Sequence, residues 1–268
     1  MDRDRVLALP AGRQKVRVGF HPSEPMLIPH RITVELPPLN GADIRFMAVC
    51  NGRPIFCKDD KDGRRIRAVE MLSTRMAGEV GILTPECTVV ENDRGETFFG
   101  SIGPMSLAGD LEVQNYLATP EQNEFGGSEP WLGRYTSGLY AYDLFIGNPD
   151  RNKRNFVMAL DDRHLRAIDF ASADLKLWAT ERFLIEKTNT LSLGRVLRKI
   201  HGFDIDAALE IVKRIEAIPV KAIRRFLAEL PRDWLSEVEG ESLCGKWESK
   251  LGARLAALSA GLRDGSLL

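Results

Sequence analysis

Long hydrophobic runs are missing from this 268-residue sequence, and no window approaches the roughly 20 apolar residues a helix needs to cross a bilayer. The opening Met-Asp-Arg-Asp-Arg has no apolar stretch of a secretory signal, so the expected location is the cytoplasm. Cysteine is scarce. Cys50, Cys57, Cys87 and Cys244 are scattered without Cys-x-x-Cys pairing or a nearby histidine, which argues against a zinc site and a disulfide framework. Neither sign of charge dominates: Lys+Arg 37 against Asp+Glu 38 leaves a net charge of -1, so no global field recruits nucleic acid or an anionic membrane. His21, His30, His164 and His201 have no partners in the sequence pattern, so no histidine nucleophile or metal cluster is expected. Internal repeats and long low-complexity segments are also missing. With 44% hydrophobic residues, the chain can build a core for one large domain or two lobes.

The informative stretch is 139–170. Leu139, Tyr142, Asp143 and Ile146 recur with helical period, and Gly147-Asn148-Pro149 ends that helix, because proline disfavours helical geometry in the residue before it. A loop follows. Residues 156–160 and 165–170 read as strands around the turn Asp161-Asp162-Arg163. The hairpin brings Asn155, just before the first strand, opposite Asp169, near the end of the second. Their hard oxygens suit Mg²⁺ carrying a nucleotide phosphate, and Asp150 in the feeding loop can accept or orient the proton of an attacking hydroxyl. Arg151 can order the loop by pairing with a carboxylate, and Asn148 can support Asp150. Turn chemistry alone also accounts for Asp150 and Asn155, so the weight lies in the constellation.

Upstream, strands are read at 16–20, 32–36, 46–50 and 55–58, the last two joined by Asn51-Gly52, a strong short hairpin signal. A helix over 68–80 carries the stripe Val69, Leu72, Met76 and Val80, with Gly81 as its cap and Pro85 beyond. Lys58 thus sits on a strand and Glu70 on the next helix. A second hairpin joins 87–91 to 96–99 through Asn92-Asp93-Arg94-Gly95. Helices are expected over 107–118, 175–188, 207–218, 220–230, 231–234 and 243–262, with a loop over 119–131.

Asp150, four residues, Asn155, thirteen residues and Asp169 in Ala-Ile-Asp-Phe resemble the catalytic-loop and metal-binding pattern of protein-kinase-like folds. The wording Ile-Gly-Asn-Pro-Asp-Arg-Asn-Lys-Arg-Asn, with Lys58 and then Glu70-Met71-Leu72-Ser73-Thr74-Arg75, is similar to HipA-like kinases and more distantly to phosphatidylinositol kinases. No His-Arg-Asp triplet precedes the loop, and Phe-Ala rather than Phe-Gly follows Asp169.

The resemblance implies an α+β, bilobal fold: an arm over 1–30, a small β-rich lobe over 31–100 and a larger, mostly helical lobe over 101–268. It implies ATP and Mg²⁺ as cofactors, with Lys58 on the phosphates, Glu70 holding Lys58, and Asn155 and Asp169 on the metal. Asp150 would be the catalytic carboxylate, with Arg151 beside it. Gly41 would cradle phosphate through backbone amides, and Phe99, Gly100 and Ser101 would link the lobes and hydrogen-bond adenine. A protein Ser/Thr acceptor is implied, and an antitoxin or regulatory partner is compatible with it. A lipid or small-molecule kinase, transfer of AMP in place of phosphate, and a nucleotide-binding pseudokinase remain alternatives. One departure stands out: between Glu35 and Leu72 there is no serine or threonine, so a phosphate-loop serine of the kind HipA-like toxins autophosphorylate is missing. On this resemblance the chain is expected to be a compact kinase domain, without room for the extra N-terminal domain of full-length HipA proteins.

Overall fold

Apolar residues alternating on either side of Asn51-Gly52 fold back on each other as expected. In the computed structural model, which describes residues 28–32, 34–38, 43–50, 52–104, 106–120, 130–174, 183 and 187–268, β2 (Ile44–Cys50) pairs antiparallel with β3 (Arg53–Lys58). Cys50 faces Arg53, so the connection is two residues long, and Gly52 takes the left-handed φ of +77° that such a turn demands. Asn51 itself, like residues 1–27 with the predicted strand at 16–20, lies outside the described residues.

The second hairpin joins β4 (Glu86–Glu91) to β5 (Thr97–Ile102), and together with β1 (His30–Arg31) the strands form one sheet in the order β1-β4-β5-β3-β2. The predicted strand at 32–36 is replaced by two separate pairings. β1 runs parallel to β4 at one edge, Ile32 donates to the Glu91 carbonyl at 3.0 Å, and Leu36 bridges to Met47 on the opposite edge strand. This short segment thus spans the curl of the sheet, and Pro37-Pro38 follow without ladder donors. One sheet face packs Ile32, Phe46, Ala48, Ile55, Cys57, Val90 and Phe98 into a small core, with Phe46 and Phe98 edge to face at 4.8 Å.

Helix α1 (Ile66–Glu79) covers the other face, and Val69, Leu72, Met76 and Val80 are buried as the periodicity predicts. From there the core continues into helices α2 (Asp110–Ala118), α3 (Pro130–Ile146), α4 (Asn189–His201), α5 (Ile205–Glu216), α6 (Val220–Ala228) and α7 (Glu237–Asp264). The central member is α3, in which Leu132, Ala141, Tyr142, Phe145 and Ile146 are fully buried against α4, α5 and α7. The Tyr142 hydroxyl donates to the Ser73 carbonyl, which ties α3 to α1. A second, two-stranded sheet, β6 (Phe156–Met158) with β7 (Leu165–Ala167), follows α3.

The residues over 231–234 form a turn closed by Trp234 N–H on the Pro231 carbonyl at 3.0 Å, not a helix. Most of the predicted helix over 175–188 and the stretch 121–129 lie outside the described residues. Cys57, Cys87 and Cys244 are buried free thiols, and burial pushes Cys57 and Cys87 up to about 12. Among the described residues no helix is long and apolar enough to cross a membrane.

Candidate functional site

Lys58, 8% exposed, ends β3, and the sheet aims its side chain inward toward α1, where the amine ion-pairs with Glu70 and sits 2.8 Å from Asp169 Oδ1. These three residues come from positions 58, 70 and 169, yet they meet in one crevice between the five-stranded sheet and the helical body. The second oxygen of Glu70 accepts from the Phe170 backbone N–H at 3.0 Å, so the fully buried carboxylate also fixes the chain just after Asp169. Burial opposes charge on the Lys58 amine, but Glu70 and Asp169 outweigh it and push its pKa up. The Asp169 carboxyl is likewise penalised by burial, yet Lys58 and Arg151 hold it below the ordinary carboxylate range. Glu70 moves the other way: burial raises it, with the Asp169 charge adding to the effect. The pair is therefore best described as a protonated amine facing an ionised Asp169.

Asp169 has a left-handed backbone, φ +63°, which costs an ordinary residue about 1 kcal/mol. The surroundings enforce it. Asn155 Nδ2 donates to Asp169 Oδ2 at 2.8 Å, and the Ile168 N–H donates to the Asn155 carbonyl at 3.1 Å. The hairpin thus brings Asn155 and Asp169 together as the sequence spacing predicts.

The loop between α3 and β6 hangs on Arg151, which is 3% exposed. Its Nε and second terminal nitrogen reach the two oxygens of buried Asp143 at 2.8 and 3.0 Å, and its other terminal nitrogen donates to the carbonyls of Asn155 (3.1 Å) and Ile168. One guanidinium therefore joins the α3 terminus, the loop and the residue before Asp169. Asn148 donates to Asp143 at 2.8 Å and accepts the Asp150 N–H at 3.2 Å, so it supports Asp150 through the backbone. The half-buried Asp150 side chain accepts from Asn189 Nδ2 at 2.6 Å.

Three supporting residues escaped the sequence reading. Asn189 and Thr190 open α4, a helix not anticipated although Thr188 caps it by accepting the Leu191 N–H at 3.2 Å. Thr190 clamps the loop: its hydroxyl donates to the Asn148 carbonyl at 2.6 Å and accepts the Arg151 N–H at 3.0 Å. Arg254 of α7 is fully buried and donates to the carbonyls of Leu144 (2.9 Å) and Phe145 (2.6 Å), capping the end of α3 from which the loop departs. Burial pulls its guanidinium down to about 10. Only the unusual Thr-Asn-Thr run before a helical leucine pattern signalled any of this in the sequence.

The expected adenine contacts need correction. Phe99, Gly100 and Ser101 lie inside β5, paired with Lys58, Cys57 and Phe56 on one side and with Val89, Thr88 and Cys87 on the other. Their backbone groups face two neighbouring strands, and the connection to the helical body begins only after Ile102. Gly100 is not a strand break: a Cβ there would lie 2.5 Å from Val90 Cγ2 and 2.9 Å from Ile55 Cγ2, so close packing demands glycine. Gly41 lies outside the described residues.

For a hard cation, Asp169 offers a carboxylate 31% exposed to the crevice. Asn155 Oδ1 is occupied by the Asn152 N–H at 2.8 Å, so it becomes a ligand only when the amide turns. Among the described residues no three His, Cys, Asp or Glu side chains gather as a metal cage. One carboxylate plus one amide oxygen fits Mg²⁺, which keeps waters and phosphate oxygens as its remaining ligands.

No family model and no curated protein matches the sequence. Among solved structures, the Helicobacter pylori proinflammatory kinase CtkA superposes with a TM-score of 0.50 at 12% identity, covering 88% of this chain and 99% of that one. HipA of Shewanella oneidensis MR-1, solved with HipB and operator DNA, gives 0.47 at 13% identity, covering 86% of this chain and 64% of that one. The fold is protein-kinase-like, with a small sheet lobe and a larger helical body.

Proposed function

From this protein-kinase-like fold we propose that the chain is an ATP- and Mg²⁺-dependent phosphotransferase whose acceptor is a protein serine or threonine. The observation that carries the reading is the Lys58 amine held between Glu70 and Asp169, with Asp169 tied through Asn155 to the loop that bears Asp150. Lys58 neutralises charge on the phosphates, and Glu70 keeps it in place. Asp150 orients the acceptor hydroxyl and takes its proton as the new oxygen–phosphorus bond forms and the bond to the ADP leaving group breaks. Mg²⁺ supplies charge neutralisation of the triphosphate when held by Asp169 and Asn155. The choice of a protein acceptor over a lipid or small molecule follows the HipA-like wording of the 147–155 loop.

The test is consumption of γ-labelled ATP and label transfer by wild type, Asp150→Ala and Asp169→Ala. Turnover in wild type, lost by at least a hundredfold in both variants, is expected. Equal activity in all three would defeat the assignment.

A further inference from the structure

We propose that the exposed face of α4 docks an acidic segment of the acceptor beside Asp150; this rests on the phosphotransferase reading above. The helix buries Thr190, Leu191, Leu193 and Leu197 and turns Asn189, Ser192, Arg195, Val196 and Lys199 outward. At about 100° per residue these five fall on one side of the helix. The face begins at the proposed catalytic carboxylate, because Asn189 is the residue that hydrogen-bonds Asp150. Arg195 and Lys199 are exposed and make no ion pair among the described residues. Val196, 43% exposed between them, adds an apolar contact.

Two cations with no ion pair among the described residues, on the face that begins at Asn189, favour carboxylates on the incoming chain. A helix rises about 1.5 Å per residue, which puts Arg195 about 9 Å and Lys199 about 15 Å along from Asn189. An extended peptide advances about 3.3 Å per residue, so the matching acidic residues stand about three and about five positions from the acceptor hydroxyl.

Fluorescein-labelled peptides with a central serine, carrying aspartate at the third and fifth positions on either side, are titrated by anisotropy against matched asparagine peptides at low and physiological salt. Wild type is expected to bind one acidic peptide at least tenfold more tightly than its asparagine match, with the preference shrinking in salt. Arg195→Glu/Lys199→Glu should erase it, and Arg195→Gln/Lys199→Gln should do the same if charge reversal impairs folding. A preference unchanged in a folded variant overturns the docking face, as does equal binding of an oligonucleotide of matched charge. ATP turnover is read separately with Asp150→Ala. Turnover without an acidic preference overturns docking alone, and a preference without turnover supports docking while defeating the phosphotransferase reading.

Discussion

Replacing Asp143 with leucine strands a guanidinium. Arg151 is 3% exposed, and Asp143, 1% exposed, gives it two charged hydrogen bonds at 2.8 and 3.0 Å. Hydrogen bonds to charged groups contribute about 1.5–3 kcal/mol each, and removing one partner of a buried ion pair typically costs about 3–5 kcal/mol. The carbonyls of Asn155 and Ile168 remain as partners for Arg151, which places the expected loss near the lower end, about 3 kcal/mol. For a chain of this size that lowers Tm by on the order of 10 °C. Urea denaturation of wild type, Asp143→Leu, Arg151→Met and the double variant measures it. The double variant should be more stable than the sum of the single losses by about 2 kcal/mol, since it buries no lone charge. It should still fail to transfer phosphate, because the guanidinium link from the α3 end to the Asn155 and Ile168 carbonyls is then gone. A loss under about 1 kcal/mol in Asp143→Leu, with no coupling in the cycle, would refute the view that this pair anchors the loop.

Asn189→Ala removes the contact to Asp150 from an exposed position, so phosphate transfer should fall about tenfold with stability changed by less than about 1 kcal/mol, read by turnover and urea titration. Gly194→Ala would place a Cβ 2.6 Å from the Tyr140 ring and push α4 from α3, a cost of about 1–3 kcal/mol seen in thermal unfolding. Arg254→Met removes the side-chain donor from the Leu144 and Phe145 carbonyls, of which only Leu144 keeps the Gly147 N–H, and should destabilise by about 3 kcal/mol; a neutral result in a denaturation curve removes it as the cap of α3. Acid stability gives a fourth check. Asp169 has a folded pKa below its unfolded one, so its contribution is present above about pH 4 and fades as pH falls through the folded value. Glu70, raised by burial, changes in the opposite sense, so the comparison is between variants. The urea midpoint should drop more steeply from pH 6 to pH 3.5 in wild type than in Asp169→Asn, and parallel curves would contradict it.

What the sequence disclosed was local. Asn51-Gly52, the stripe Val69, Leu72, Met76 and Val80, and the stop at Gly147 to Pro149 are each set by neighbours a few residues apart, and those elements stand where periodicity and turn chemistry put them. The meeting of Asn155 and Asp169 was legible for the same reason, since a hairpin fixes its own register. Tertiary demands were not legible. Phe99-Gly100-Ser101 reads as a link leaving the sheet because nothing local announces that Val90 and Ile55 crowd Gly100 from two strands. Arg254 carries no local signal, because it lies over 100 residues from the carbonyls it caps. The partner of Arg151 could be anticipated as a carboxylate, but only the packing of α3 identifies it as Asp143.

Calorimetric titration of Mg²⁺ and ATP into wild type and Lys58→Met asks whether the crevice holds a triphosphate. The account predicts one site in wild type, weakened at least tenfold by the substitution and dependent on Mg²⁺. No binding by wild type, or equal affinity in Lys58→Met, would contradict it.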